Sequence, residues 1–140
     1  MNSRFRTIAA WFDALTEATL PSIDGIYASD AHFKDPFNDV RGIARVNEVY
    51  QHMFDGLDEA RFTVDSVLSQ GGEGFFIWRF HCKWRKHVLT VHGSSHLVLD
   101  DNGLIAEHRD YWDTGEELYE KIPGLGAVLR GIKKRLALPA

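Results

Sequence analysis

Two carboxylates in this 140-residue chain stand where acid/base chemistry could use them. Asp110 lies in the alternating run Leu104 to Trp112, on the same side as His108 and Trp112. Asp35 closes a short extended segment, Ala31 to Asp35, and immediately precedes Pro36, which disfavours helical backbone before it. An ionised carboxylate moved out of water among aromatic rings loses solvation, so its pKa rises unless a donor or cation supports the charge. A raised carboxyl is a usable acid or base near neutral pH. Two structural readings compete. Asp110 can sit as a satisfied buried polar group beside Ser95 and His108, and Asp35 can accept a local backbone hydrogen bond at the end of a strand.

Strands must position these groups. Arg61 to Ser69, Phe75 to Arg85, Val88 to Leu99 and Leu104 to Trp112 read as four consecutive strands. In the second, Phe76, Trp78, Phe80, Cys82 and Trp84 share one face. Arg79, His81, Lys83 and Arg85 share the other, with Ile77 as the apolar exception. Taking Lys86-His87 and Asn102-Gly103 as two-residue turns sets Trp78 opposite Ser95, Ser95 opposite Asp110, Phe80 opposite Gly93, Gly93 opposite Trp112 and Leu97 opposite His108. A carboxylate and a small hydroxyl then stand on the aromatic face, where a purely structural core favours Val, Ile or Phe. That is the signature of a pocket.

The polar face sets His81 against His92, with His96 near Arg109 and Glu107. These imidazoles could hold a metal, but no pair has the spacing of a helical or Cys-pair ligand motif, and contact with a second copy of the chain is the preferred reading. Cys82 faces the apolar side and reads as core.

Helices precede and follow the strands. Ile8, Trp11, Phe12 and Leu15 have helical spacing, and the pattern predicts a helix to about Leu20, ended by Pro21. Ser22 is a candidate cap for a shorter helix through Ile23, Ile26 and Tyr27. From Gly42, the stripe Ile43, Val46, Val49, Tyr50, Met53, Phe54 and Leu57 marks a third helix. Glu116 to Leu138 is helical in pattern, broken at Pro123-Gly124. Leu125, Val128, Leu129, Ile132 and Leu136 form its apolar stripe, and Arg130, Lys133, Lys134 and Arg135 its basic side.

Composition bounds the rest. The length and the 44% apolar content suit one domain over residues 1–140. A net charge of −4 provides no basic field for nucleic acid. The single cysteine excludes an intramolecular disulfide and fits a reducing compartment. The apolar run from Ile8 to Phe12 is broken at Asp13, too short for a signal-peptide core or a membrane span, so a soluble cytoplasmic protein is expected.

The order of helices and strands resembles the nuclear transport factor two-like superfamily, which includes steroid Δ-isomerases, SnoaL-like polyketide cyclases and limonene epoxide hydrolase. Tyr27-Ala28-Ser29-Asp30-Ala31-His32-Phe33-Lys34-Asp35-Pro36, followed by Arg41-Gly42 and a helix, is similar to the steroid isomerases' Tyr-Ala-x-Asp-Ala-x-x-x-Asp-Pro. There the Asp before Pro moves a proton between carbons next to a carbonyl, which implies a catalytic role for Asp35. Tyr50 matches a pocket tyrosine of that group. At the two oxyanion-stabilising positions this chain has Trp11 and Ser95, which can donate through an indole N–H and a hydroxyl. His108-Arg109-Asp110-Tyr111-Trp112-Asp113 resembles the last-strand motif of the epoxide hydrolase branch, in which the first Asp serves in acid/base work. That branch's Arg-x-Asp pair meets only Arg79-Phe80-His81 here.

The resemblance implies an α+β cone: a curved antiparallel sheet with the N-terminal helices on its concave face and a C-terminal covering helix. It implies a homodimer through the polar sheet face. The expected function is cofactor-free and metal-free isomerisation, cyclisation or hydration of a small apolar carbonyl or epoxide compound. Asp35 and Asp110 are the candidate acid/base pair. Trp11, Tyr50, Trp78, Phe80, Ser95, His108 and Trp112 are expected to line or polarise the site. The alternative is a non-catalytic module that binds a hydrophobic ligand or a protein partner.

Overall fold

The computed structural model describes residues 3–112 and 125–139, the side chains of 125–130 excepted. Helix α1 (Ser3–Asp13) leads into a single 3-10 segment (Leu20–Gly25) and strand β1 (Tyr27–Lys34). The short β2 (Asp39–Arg41) and helix α2 (Ile43–Gly56) follow. Four long strands come next: β3 (Asp58–Gln70), β4 (Glu73–Trp84), β5 (His87–Leu99) and β6 (Ile105–Tyr111). Helix α3 spans Leu125–Leu136. The candidate helix over Glu116 to Gly124, its break at Pro123-Gly124 and the motif residue Asp113 lie outside the described residues.

The strands form one curved, unclosed sheet in the order β2-β1-β6-β5-β4-β3, so the expected α+β cone is what the chain adopts. One pairing departs from the antiparallel expectation. β1 runs parallel to β6, with Phe33 beside His108 and Lys34 beside Arg109. The other neighbours are antiparallel. Phe5, Ile8 and Phe12 of α1, and Val46, Val49, Tyr50 and Met53 of α2, are buried with Phe76, Trp78, Phe80, Leu97 and Ile105 of the sheet in one core. Period-2 burial in β4 and period-3.6 burial in α2 are the sequence patterns made physical.

Helix α1 stops at Asp13, well short of Leu20. The Thr16 backbone N–H donates to Thr19 Oγ1 at 2.8 Å, and that of Thr19 donates to Thr16 Oγ1 at 3.3 Å, so local hydroxyl bonds displace helical ones. Ser22 caps no α-helix. Its hydroxyl donates to the Thr19 carbonyl, and Tyr27 already belongs to β1.

The β5/β6 register matches expectation, with Ser95 opposite Asp110 and Leu97 opposite His108. The β4/β5 register is displaced by two residues, because the turn is Arg85-Lys86, with Arg85 at φ 56°, rather than Lys86-His87. Trp78 therefore pairs with Gly93 instead of Ser95, Phe80 with Val91, and His81 with Thr90 instead of His92. β6 ends at Tyr111, one residue short of the expected pairing of Trp112 with Gly93. A two-residue slip keeps every side chain on its face. Glycine is required at 93, since a Cβ there would lie 2.4 Å from the Trp78 ring.

Candidate active site

An apolar cavity of about 70 Å3 lies between α2, α3 and the sheet. Asp35, Tyr50, Trp78, Phe80, Asp110 and Trp112 all line it, and Ile132 and Leu136 of α3 close one side. A second, far smaller cavity adjoins it, sharing Tyr50, Phe62, Trp78 and Asp110 and adding Ser95 and His108. Eight of the nine residues singled out from the sequence thus line one or both of two adjoining cavities.

Trp11 does not. Its half-buried indole N–H donates to Ser22 Oγ at 2.8 Å, and its ring packs edge-on against Tyr27 and Tyr50. The expected indole donor is committed to the 3-10 segment after α1 and serves as a buttress behind the site.

Asp35 follows β1, and the inward alternation Ala31, Phe33, Asp35 carries its side chain toward the interior. The parallel pairing of Phe33 with His108 and Lys34 with Arg109 brings it alongside Asp110. Asp35 Oδ1 accepts the backbone N–H of Phe37 at 2.8 Å and of Asn38 at 2.6 Å, the local turn that Asp-Pro favours. The Asn38 amide also reaches both carboxylate oxygens, at 3.3 and 3.4 Å. Burial, reinforced by the Asp110 charge, outweighs these donors and pushes the Asp35 carboxyl up to about 6.

Asp110 anchors a buried polar chain. The Trp78 indole N–H donates to Ser95 Oγ at 2.8 Å, and the Ser95 hydroxyl donates to Asp110 Oδ1 at 2.5 Å. His108 Nε2 lies 2.6 Å from the same oxygen. His108 Nδ1 meets the Tyr27 hydroxyl at 2.6 Å, and Tyr27 meets the Tyr50 hydroxyl at 2.7 Å. Burial raises both phenols well above their ordinary range, so they stay protonated. Among the described residues no buried side-chain nitrogen or oxygen lacks a partner. The reading of Asp110 as a satisfied polar group is therefore also true. The group is satisfied on Oδ1 and still borders the cavity.

Two participants escaped the sequence reading. Tyr27 opens the quoted motif, and a strand extended back from Ala31 would have reached it. Asn38, 7% exposed, carried no signal. Its amide donates to the Leu136 carbonyl at 3.0 Å, and its Oδ1 accepts the Leu138 backbone N–H at 3.0 Å, so one side chain joins the end of α3 to Asp35. Asn38→Ala is expected to move the Asp35 titration above about 6, because a donor that favours the charged form is lost. A carboxyl-carbon NMR titration checks this, and a midpoint that falls would contradict the geometry.

The Cys82 thiol also lines the cavity and is pushed up to about 12 by burial, as an inert core thiol should be. On the outer face the histidines are dispersed. His96 bonds Glu73 at 2.6 Å, and His81 lies between Thr63 and Thr90. Among the described residues no three His, Cys, Asp or Glu side chains converge to hold a metal, and no helix is long and apolar enough to cross a membrane.

Solved structures share this architecture. A candidate SnoaL-like polyketide cyclase from Shewanella putrefaciens CN-32 superposes with a TM-score of 0.73 at 20% identity, over 86% of this chain and 96% of that one. An LEH-like epoxide hydrolase from M. tuberculosis gives 0.72 at 18% identity, over 91% and 95%. TsrD from Streptomyces laurentii gives 0.75 at 17% identity, over 91% and 98%. Such identities establish a common fold, of the nuclear transport factor two-like type, and nothing about the reaction. A search among curated proteins finds no match. The SnoaL-like domain family model matches residues 8–108, from the first helix through the strand that carries His108, and the chain belongs to that family.

Proposed function

We propose that this protein is an enzyme that performs cofactor-free acid/base chemistry on a small apolar compound bearing a carbonyl or epoxide, by isomerisation, cyclisation or hydration. One observation carries the reading: two carboxylates far apart in sequence, one just after β1 and one on the neighbouring β6, border a single apolar cavity, and the burial of one holds it at about 6, a basicity matched to proton transfer near neutral pH. Asp35 is the base that removes a proton from the substrate. Asp110, with one oxygen held by Ser95 and His108, serves the second proton position. Trp78, Phe80 and Trp112 supply apolar walls. A pure storage site has no need of a carboxyl tuned in this way.

Hydrogen exchange tests the reading without knowledge of the product. Small aryl and cyclic ketones incubated with the protein in D2O are expected to gain deuterium next to the carbonyl faster than in buffer, as followed by proton NMR. No acceleration with any of these ketones, together with no hydration of small epoxides, would sink the proposal in favour of a binding module.

The outer sheet face supports a homodimer. Phe75 and Ile77 are 42% and 43% exposed, so Ile77 is not the sole apolar residue there, and Tyr111 is 48% exposed. Ile77, Ser94 and Tyr111 form one row across β4, β5 and β6, and Phe75, His96 and Arg109 the next. Sedimentation equilibrium is expected to give twice the 15.9 kDa chain mass, with Ile77→Asp shifting the protein toward monomer. A monomer at micromolar concentration would refute the assembly.

A further inference from the structure

Once the charge on Asp110 is specified, the partners of the buried chain assign its hydrogens. With Asp110 ionised, His108 Nε2 carries a hydrogen, because the carboxylate oxygen can only accept. A neutral imidazole then has a lone pair at Nδ1, which must accept the Tyr27 O–H. Tyr27 oxygen is left to accept, so the Tyr50 O–H points at it. Tyr50 lines the larger cavity, and in this state its single hydrogen is used inside the protein. Adding one proton to His108 reverses the chain. Nδ1–H donates to Tyr27, Tyr27 donates to Tyr50, and the Tyr50 hydrogen is released toward the cavity.

We propose that His108 acts as a positioning residue, deciding through Tyr27 whether Tyr50 offers the cavity a lone pair or a hydrogen. This rests on the enzymatic reading of the cavity and adds a specificity to it. With His108 neutral, Tyr50 suits a ligand that donates, such as a phenol or enol. With His108 protonated, Tyr50 suits an acceptor, such as a ketone or enolate. One site can then hold both partners of a carbonyl–enol interconversion in turn.

The surroundings make His108 the point of control. It is 3% exposed and lines the smaller cavity but not the larger, so a ligand in the larger cavity senses it through the Tyr27 and Tyr50 hydroxyls and through Asp110. From β1, Tyr27 stacks 3° from parallel with its ring and Phe33 lies 4.6 Å away. From α1, Phe12 meets it edge-on. The titratable groups facing this cluster are Asp110 on β6, Tyr27 and the following Asp35 at the β1 end, and Tyr50 on α2, whose hydroxyl feels both carboxylate charges.

The test uses the full chain in the Asp35→Asn background, which removes the carboxyl that titrates at about 6. Ring-nitrogen NMR at pH 8, with His108→Gln to assign the signal, is expected to place the hydrogen of the neutral ring on Nε2. A hydrogen on Nδ1 overturns the assignment. Acetophenone affinity is expected to rise and phenol affinity to fall under conditions where the ring-nitrogen signals show both His108 nitrogens protonated. At pH 8, Tyr27→Phe frees the Tyr50 hydrogen and is expected to tighten acetophenone binding about two- to tenfold, the worth of one hydrogen bond. Adding Tyr50→Phe abolishes the gain. A Tyr27 role in packing alone would weaken binding or leave it unchanged, and either result refutes the coupling. Failure of the enzymatic reading is seen separately, as absence of deuterium exchange by the unsubstituted protein.

Discussion

Asp35→Asn is expected to slow deuterium exchange by about 10²–10⁴-fold, the range contributed by a positioned base, while acetophenone affinity stays within about tenfold. The amide keeps the size of the carboxyl and an oxygen to accept the Phe37 and Asn38 N–H groups, so the loop after β1 persists. In the unsubstituted protein the rate should climb as pH rises through about 6, where Asp35 ionises. The same group predicts a stability change of opposite sense. Its folded pKa lies above the unfolded value of 3.8, so folding favours the neutral form. The stabilisation is complete below pH 3.8 and is lost as pH rises through about 6, a difference of roughly 3 kcal/mol. Asp35→Asn should therefore raise the urea midpoint at pH 8 and leave it nearly unchanged at about pH 3.5, below both pKa values. A variant that is both inactive and destabilised at pH 8 would mean that Asp35 serves the fold rather than the chemistry.

Which parts of this arrangement were legible in the sequence follows from how far each signal reaches. Alternation is local, and it put Phe76, Trp78 and Phe80 on the cavity face of β4 regardless of register. Asn102-Gly103 marks its turn with a residue suited to positive φ, and Gly103 adopts 76°, so the facing of Ser95 and Asp110 could be read directly. Arg85-Lys86 bears no such mark. Arg85 takes φ 56° without glycine, asparagine or aspartate to announce it, and the Trp78 partner was misplaced by two positions. Because Trp78 is long, its indole still reaches Ser95 diagonally, and the contact survives the wrong register. The parallel pairing of β1 with β6 joins segments about 75 residues apart and leaves no local trace, yet it is what sets Asp35 beside Asp110. Asn38 was invisible for a similar reason. Its partners at Leu136 and Leu138 lie about 100 residues along the chain.

Asp110→Asn should act on Asp35 as well as on the rate, and this dual effect separates a shared cavity from two independent carboxyls. Burial is the larger cause of the raised Asp35 pKa and remains in the variant, whereas the repulsion from a second negative charge disappears. The Asp35 midpoint should therefore fall from about 6 partway toward 3.8, and the rising limb of the pH–rate profile should move to lower pH with it. The plateau rate should drop by about 10²–10⁴-fold where Asp110 carries the second proton step. The carboxamide that replaces the Asp110 carboxyl keeps an oxygen to accept from Ser95 and His108, so packing around Trp78 should hold and the variant should fold. Carboxyl-carbon NMR of Asp35 reads the midpoint with no substrate present. A midpoint that stays at about 6 would show that the two charges do not sense each other, and one that rises would reverse the sign of the coupling. Either result would remove the physical basis for treating Asp35 and Asp110 as a pair, whatever happens to the rate.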